Sequence, residues 1–333
     1  NWMTSDPATL DEIEKLLDAG ASVARLFGAD VVQGLRRLEL ICHPDRHPGD
    51  VARATRVFQR LQALASRPIP TPTKLKSPKR TYTLTEQLAV GDVADLHRAT
   101  WDGSSYVAKI SRTRGADKLL DVERHAVTTL LSAAGDSSFR HYYPLLVESF
   151  PAHSRRVPKR VNVFSAGPPL YSAEQLLTRY PTGLDGRHIV WMAKRLFTAI
   201  GFAHRQSLVH GAVLPPHLLF NLENHGLVLC GWGQSVEAGH VLQAAVTKYR
   251  DLYPPEALAK KPATSETDVF MASQTLLKLA DPDKLPRGIA AILRACSLPG
   301  QRMRPSDAFT LHDDMTDAAD RYYGPPKFVP LHF

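Results

Sequence analysis

The chain has 333 residues, of which 44% are hydrophobic and 22% are charged. This composition is typical of a globular protein with a sizeable core, and the length allows two domains. The formal net charge is +8, but the basic residues are spread along the chain, so we expect no nucleic-acid partner.

The three cysteines, Cys42, Cys230 and Cys296, lie far apart and form no CxxC pair. This spacing argues against a zinc site and against a disulfide scaffold, and it fits a reducing compartment. The sequence has no apolar run of membrane-span length and no signal peptide. We therefore expect a cytoplasmic protein that has no membrane partner and holds no metal.

Residues 1–66 are predicted to form a small all-α domain. Apolar residues recur at helical spacing over 9–19, 30–42 and 51–66, which predicts three helices. The second and third helices are joined by the loop HPDRHPGD, in which Pro and Gly prevent a continuous helix. The last two helices should therefore pack as an antiparallel hairpin.

The loop begins with His43, Pro44 and Asp45, and the helix before it carries Arg36 and Arg37. Together with its helices, this loop resembles the J-domain of DnaJ-like co-chaperones over about residues 9–66. The resemblance implies that the HPD tripeptide stimulates the ATPase of a DnaK-type chaperone, while Arg36 and Arg37 attract that partner by charge. A helical bundle in which HPD only bends the chain is the alternative.

Two residues of the second helix depart from the J-domain pattern. Glu39 dilutes the basic face of the helix. Gly34 should weaken the helix by about 1 kcal/mol relative to alanine.

Residues 67–80, RPIPTPTKLKSPKR, are predicted to form an extended linker. Its prolines prevent a helix and favour polyproline-like conformations. Its lysines and Arg80 should form a solvated basic run.

Residues 81–325 are predicted to form a second domain of two lobes. Three strand-like segments between 81 and 112 are separated by Gly91-Asp92 and Asp102-Gly103. A helix over 115–134 and two further strands follow, and the chain after residue 169 is mainly helical. The whole protein is thus predicted to be α+β, with an all-α hairpin followed by a β-rich lobe and an α-rich lobe.

The second domain resembles the protein kinase fold over about residues 81–320. VAKI at 107–110 matches the strand that carries the phosphate-binding lysine, which places Lys109 in that role and makes Glu123 its helix partner. The phosphate loop LAVGDVADL keeps only Gly91 of the family's glycines. Alanines in place of the other glycines would crowd the approach of phosphates to the backbone.

The catalytic residues of the family are replaced. HGAVLPPHLLFN, beginning at His210, aligns with the catalytic loop and puts Ala212 at the position of the catalytic aspartate. His217 takes the place of the metal-binding asparagine, and Gly231 takes the place of the aspartate in DFG. A methyl group accepts no proton, and a glycine offers no oxygen to magnesium.

The resemblance also assigns scaffold positions, and these are retained. Glu256 in YPPE and Arg304 in RMRPS match a structural ion pair of the family, and Asp268 matches the residue that orders the catalytic-loop backbone. We therefore interpret this domain as a pseudokinase without ordinary phosphotransfer activity. We expect no cofactor, and any ATP binding would be independent of magnesium. Trp232, at the position of the phenylalanine in DFG, could plug the nucleotide cleft.

Three functions remain open from the sequence. The first is a co-chaperone whose J-like part engages a DnaK-type chaperone while the pseudokinase domain binds a client or partner. The second is a pseudokinase scaffold or regulator whose J-like helices are only an interaction arm. The third is a transferase that uses Lys109 and Glu123 to bind a nucleotide in an altered cleft.

Overall fold

The computed structural model describes residues 9–21, 23–27, 31–65, 73–91, 93–152 and 159–333. The chain divides into two compact units, residues 1–71 and residues 72–333, each with its own buried core. They are called the helical unit and the larger unit below.

The helical unit contains, in its described ranges, the helices α1 (Leu10–Asp18), α2 (Val23–Phe27), α3 (Val31–Cys42) and α4 (Val51–Ala65). Thr9 caps α1, since its hydroxyl accepts the Glu12 N–H while the Glu12 carboxylate accepts the Thr9 N–H. This capping box fixes the start of the helix. The predicted first helix is confirmed, and the second and third are confirmed as α3 and α4.

The core of the helical unit is formed by apolar residues from all four helices, among them Ile13, Phe27, Leu38 and Leu61. Ion pairs join α1 to α4, because Arg53 Nη2 lies 2.6 Å from Asp11 Oδ1, and Arg60 pairs with Asp18 at 2.8 Å.

Helix α2 was not predicted, and it explains Gly34. A Cβ atom on Gly34 would lie only 1.9 Å from the carbonyl oxygen of Phe27, so the α2 backbone packs directly on α3 at this position. The glycine is therefore required for helix packing, which outweighs its low helix propensity.

The larger unit begins with a curled antiparallel sheet in the order β1-β2-β3-β4-β6-β5. Its strands are β1 (Thr73–Lys76), β2 (Thr81–Val90), β3 (Ala94–Trp101), β4 (Ser104–Ser111), β5 (Leu146–Ala152) and β6 (Lys159–Ser165). Asp102 (φ 48°) and Gly103 (φ 72°) form the two-residue β3–β4 turn, as predicted, with the positive φ values that a tight hairpin requires. Helix α5 (Arg114–Ala134) packs on this sheet.

Strand β1 corrects the linker prediction for residues 73–80. Leu75 pairs with Tyr82 across β1 and β2, and both side chains are buried in the core of the sheet. Lys74 and Lys76 flank Leu75 on an edge strand, where charged side chains are common. The prolines of the segment lie before and after the strand and do not interrupt it, so its short alternation was overlooked in a proline-rich stretch. Residues 67–72 of the predicted linker lie outside the described residues.

The second part of the larger unit is mainly helical and surrounds one large core. Its helices are α6 (Ala173–Arg179), α7 (Gly186–Arg205), α8 (Pro255–Leu258), α9 (Ser265–Leu279), α10 (Arg287–Ala295) and α11 (Ala308–Tyr323). Its short strands are β7 (Tyr171–Ser172), β8 (Leu208–Val209), β9 (Leu218–Asn221), β10 (Gly226–Leu229) and β11 (Val236–Glu237). Leu331 and Phe333 also pack on this core, so the unit includes residues beyond the predicted boundary at 325.

Candidate functional site

The HPD loop of the helical unit is exposed but ordered by local contacts. Pro44–Arg46 form a single 3₁₀ turn, and His43 Nδ1 accepts the backbone N–H of Asp45 at 3.3 Å. The His43 ring also contacts Phe58 of α4 edge to face, with 5.7 Å between ring centroids. The side chains of His43 and Asp45 are 47% and 89% exposed. The two polar side chains are therefore held in place and remain accessible to a partner.

Helix α3 adds a neighbouring surface to this loop. Arg36 is exposed and Arg37 is partly buried. Leu40, which the sequence reasoning did not single out, is an apolar side chain that is 58% exposed. Because residues four apart share a helix face, Arg36 and Leu40 lie on one side of α3. The helix ends at Cys42, so this face of α3 lies directly before the loop that begins at His43.

In the larger unit, Lys109 on β4 pairs with Glu123 on α5 at 2.7 Å between Nζ and Oε1. The other carboxylate oxygen of Glu123 accepts a hydrogen bond of 3.1 Å from the Asn162 side chain, which also donates to the Leu120 carbonyl. Glu123 is almost fully buried, so these bonds offset the cost of removing its charge from water. Asn162 was missed by sequence reasoning, although a polar residue within the apolar strand VNVF was a signal.

The hairpin at Gly91 is closed by its own hydrogen bonds. The Gly91 N–H donates to the Ala94 carbonyl at 3.1 Å, and the Arg112 guanidinium donates to the Gly91 carbonyl at 2.9 Å. The one retained glycine N–H is therefore already used within the hairpin, which leaves it unavailable to a phosphate.

Asp268 orders the loop that contains His210. Its carboxylate accepts the backbone N–H groups of His210 (2.7 Å) and Gly211 (2.8 Å), and it also contacts His204 Nε2 at 3.0 Å. Asp268 is completely buried. The loop is therefore held by charge-assisted hydrogen bonds, which are among the stronger kind.

A second buried carboxylate, Glu256 on α8, forms a bidentate pair with Arg304. The two oxygens lie 2.6 and 3.0 Å from the two terminal guanidinium nitrogens. Arg304 also donates to the carbonyls of Leu298, Pro299 and Glu266, which satisfies its three remaining donors. This pair joins α8 to the segment that leads into α11.

Ala212, His217 and Gly231 lie together, and the His217 side chain contacts the other two positions. His217 Nδ1 donates to the Ala212 carbonyl at 2.7 Å. Gly231 has φ 82°, and a Cβ atom there would lie 2.5–2.7 Å from the His217 ring. The imidazole therefore occupies the space that any side chain at position 231 would need. Burial lowers the pKa of His217, so the ring is neutral at physiological pH.

His210 is also neutral and internally satisfied. Its Nδ1 accepts the Ala212 N–H at 3.1 Å, which leaves the proton on Nε2 to be donated to the Cys230 carbonyl at 2.9 Å. Desolvation lowers its pKa to about 4. Burial likewise raises the pKa of Cys230 to about 12, so this thiol is not activated as a nucleophile.

Trp232 is fully buried in the main core, where it contacts His210 and Tyr143 edge to face at 4.4 and 5.7 Å. Its indole N–H donates to the Leu229 carbonyl at 2.8 Å. The hypothesis that Trp232 plugs a nucleotide cleft stays a prediction. Its size and apolar character are used for core packing.

A polar cluster near His217 was not foreseen. The Glu174 carboxylate on α6 accepts hydrogen bonds from the side chains of Lys248 and Tyr249. Burial acts to raise the pKa of Glu174, but these two hydrogen bonds outweigh it and hold the pKa below the ordinary value. The contact joins residues that are far apart in sequence, so no local pattern could have indicated it.

Within the ranges that the structure describes, no three His, Cys, Asp or Glu side chains are grouped so that they could hold a metal ion. In those same ranges, no helix has both the length and the apolar character needed to cross a bilayer.

Comparison with known proteins supports the fold of the larger part of the chain. The crystal structure of the BubR1 kinase domain is similar to this protein, with a TM-score of 0.59 and 12% sequence identity. The match covers 78% of this chain and 86% of that chain. At this identity the likeness shows the fold alone, which is protein kinase-like. Neither a protein-family model nor a curated protein sequence matches the chain.

Proposed function

We propose that this protein is a non-catalytic co-chaperone. The helical unit is a J-like module that engages a DnaK-type chaperone ATPase through His43, Pro44 and Asp45. The kinase-like unit is a pseudokinase that binds a client or partner. The observation that carries the proposal is the HPD loop, in which Asp45 is 89% exposed while His43 is fixed against Phe58.

Charge and shape support this partner class. Arg36 would attract an acidic surface on the chaperone, and Leu40 would bury apolar area in the same contact. Electrostatic attraction of this kind raises the association rate, while a central apolar residue contributes affinity. The loop itself would then act as the trigger for ATP hydrolysis in the partner.

The test is the steady-state ATPase rate of a DnaK-type chaperone with and without the full chain. We expect stimulation by the wild type, none by His43→Gln, and full stimulation by His141→Gln, an exposed histidine in the larger unit that serves as the matched control. Equal stimulation by all three proteins, or by none, would remove the co-chaperone proposal. Chaperone binding without stimulation would favour the alternative, in which the helices are only an interaction arm of a scaffold.

The proposal that the kinase-like unit performs no phosphotransfer rests on Ala212, His217 and Gly231. Ala212 offers no base at the position of the catalytic aspartate, and none of the three side chains offers a carboxylate to bind magnesium. The His217 ring also fills the space at Gly231, so magnesium with its waters would have to displace packed atoms.

A second candidate function is nucleotide binding in an altered cleft. The intact Lys109–Glu123 pair favours it, because in active kinases this pair positions ATP phosphates. Thermal unfolding of the full chain with ATP, measured with Mg²⁺, with Mn²⁺ and with neither ion, separates the candidates. The absence of any shift, together with no label transferred from radioactive ATP, would eliminate it.

A further inference from the structure

A cavity of about 350 Å³ lies in the larger unit, where the end of α7 meets β8 and the starts of α9 and α11. Its apolar lining consists of Gly201, Leu208, Val209 and Ala308, all of them buried or partly buried. This space is here called the α11 cavity. Its volume is within the range of small-molecule sites, which combine an apolar lining with a few polar groups.

Arg205 brings a positive charge to the α11 cavity, and an aromatic ring fixes its position. Its guanidinium lies over the Phe309 ring, 4.0 Å from the centroid, and Phe309 contacts Phe139 edge to face at 6.1 Å. Gly201 allows this packing, because a Cβ there would lie 3.0 Å from the Phe309 ring. A stacked guanidinium keeps the N–H donors at its edge free for a carboxylate. Arg205 forms no ion pair with any described residue.

Asp307 brings a negative charge to the same lining. It caps α11, since one carboxylate oxygen accepts the Phe309 N–H at 2.9 Å and the other accepts the Thr310 hydroxyl at 3.2 Å. A carboxylate offers about four acceptor positions, so these two bonds leave room for a further donor. In the part of the chain that the structure describes, Asp307 has no ion-pair partner either.

His204 adds an unused hydrogen-bonding atom to the wall of the cavity. Its side chain is 11% exposed, and its Nε2 lies 3.0 Å from the Asp268 carboxylate. The other ring nitrogen, Nδ1, is buried and has no hydrogen-bond partner among the described residues. Buried polar atoms are rarely left in this state, so the wall of the cavity favours a ligand that can form hydrogen bonds.

The two charges of the lining select the class of ligand. An anion would pair with Arg205 but would face the Asp307 carboxylate, and a cation would pair with Asp307 but would face the guanidinium. An apolar molecule would remove both charges from water without pairing either of them, which is costly. A zwitterion with an apolar part pairs with both charges and also covers the apolar lining.

We propose that the α11 cavity binds a free α-amino acid with an apolar side chain. The ligand carboxylate pairs with Arg205, its ammonium group pairs with Asp307, and its side chain packs on Leu208 and Val209. A peptide is a poorer match, because each end of a peptide carries only one of the two charges. This site does not depend on the chaperone proposal.

The first test varies the ligand. Isothermal titration calorimetry measures the binding of leucine, leucinamide and N-acetylleucine to the full chain. We expect leucine to bind at least tenfold more tightly than either derivative, because leucinamide lacks the carboxylate and N-acetylleucine lacks the ammonium group. Equal binding of either derivative would overturn the proposal, as would the absence of binding by both leucine and phenylalanine at millimolar concentrations.

The second test varies the protein. In Arg205→Leu the preference for leucine over leucinamide should disappear. In Asp307→Asn, which keeps a good helix cap, the preference for leucine over N-acetylleucine should disappear. Arg187→Leu is the matched control, because Arg187 also lies on α7 and stacks on an aromatic ring, Tyr323 at 4.7 Å, outside the cavity. It should keep both preferences.

Unchanged preferences in folded Arg205→Leu or folded Asp307→Asn would contradict the assigned ion pairs and overturn the proposal. Loss of both preferences in the Arg187→Leu control would do the same, because the selectivity would then not arise in the cavity. If a variant does not fold, the comparison of the three ligands on the wild type decides the question.

Discussion

His43 in the helical unit and His217 in the larger unit lie in very different environments. His43 lies on a loop with its side chain 47% exposed, beside a carboxylate that is also exposed. His217 donates to the Ala212 carbonyl and packs over Gly231. One histidine is exposed on a loop, and the other is packed among its neighbours.

The carboxylates of the two units differ in exposure in the same way. Asp45 faces solvent, whereas Glu123, Glu256 and Asp268 are buried and each is bound by at least two protein donors. Buried charges persist only where they are paired, and in the larger unit these carboxylates hold secondary-structure elements and loops together. We infer that the helical unit provides the surface that binds and stimulates the chaperone, and that the buried charges of the kinase-like unit stabilise its fold.

The largest expected effect is on the stability of the larger unit. Arg304→Met removes the guanidinium from buried Glu256 and should cost about 3–5 kcal/mol, because an unpaired carboxylate then remains buried. Urea unfolding of the full chain measures this, and exposed Arg302→Met on the same turn is the matched control. At temperatures where the variant is folded, stimulation of the chaperone should be unchanged. A loss of stimulation in the folded variant would contradict the claim that the helical unit alone stimulates the chaperone.

The next effect concerns pH. The pKa of His210 is about 4 in the folded chain, below its ordinary value of 6.5, so the unfolded chain binds more protons between these two values. Stability is therefore full above about pH 6.5 and falls as the pH drops towards 4, by about 3 kcal/mol for this group.

Urea midpoints at pH 7.5 and pH 5 measure this loss. His210→Gln can keep both hydrogen bonds of the ring without titrating, so its stability should fall less over the same interval. An equal fall in the wild type and the variant would mean that His210 is not the responsible group.

An aspartate introduced at position 231 should destabilise the folded chain. In Gly231→Asp the new Cβ meets the His217 ring, and the backbone has φ 82°, so we expect a loss of about 1–3 kcal/mol. Part of this loss should return in the double variant Gly231→Asp/His217→Asn, which removes the ring. A double-mutant cycle by thermal unfolding isolates the coupling between the two positions. Additive losses would contradict the packing of His217 into the site.

A smaller loss of stability is expected for a substitution in the helical unit. Gly34→Ala would normally stabilise a helix by about 1 kcal/mol. Its methyl group would meet the Phe27 backbone, however, so we expect a net loss of about 1–2 kcal/mol and a weaker chaperone response. Gly49→Ala is the control, because a Cβ there meets no atom within 4 Å. A stabilised Gly34→Ala variant would contradict the packing of α2 on α3.

Much of the architecture could be predicted because its signals are local. Helical spacing indicated α1, α3 and α4, and the Asp102-Gly103 turn indicated a hairpin. Helix α2 has five residues, which is too short for a periodic pattern, and β1 depends on Leu75 packing against Tyr82. The identities of Ala212, His217 and Gly231 could be read directly from the sequence, and their interpretation as replaced catalytic residues rests on the resemblance.

The side-chain contacts of the candidate site could not be predicted, because they join residues that are distant in the sequence. Asn162 reaches Glu123, Lys248 reaches Glu174, and the His217 ring covers Gly231 only once the loops are folded. Gly211 is a similar case, since a Cβ there would lie 2.5 Å from a Leu242 methyl group. This steric restriction on position 211 arises only from the folded loop and could not be read from the sequence.

One titration tests the contrast between the two units most directly. The ATPase rate of a DnaK-type chaperone is measured against increasing amounts of the wild type, of His43→Gln and of Lys109→Met, which removes the cleft cation while preserving side-chain length. We expect the wild type and Lys109→Met to stimulate equally and His43→Gln to give no stimulation. Stimulation that is lost in folded Lys109→Met and retained in His43→Gln would contradict two claims. These are that the HPD loop stimulates the chaperone and that Lys109 serves only the stability of the kinase-like unit.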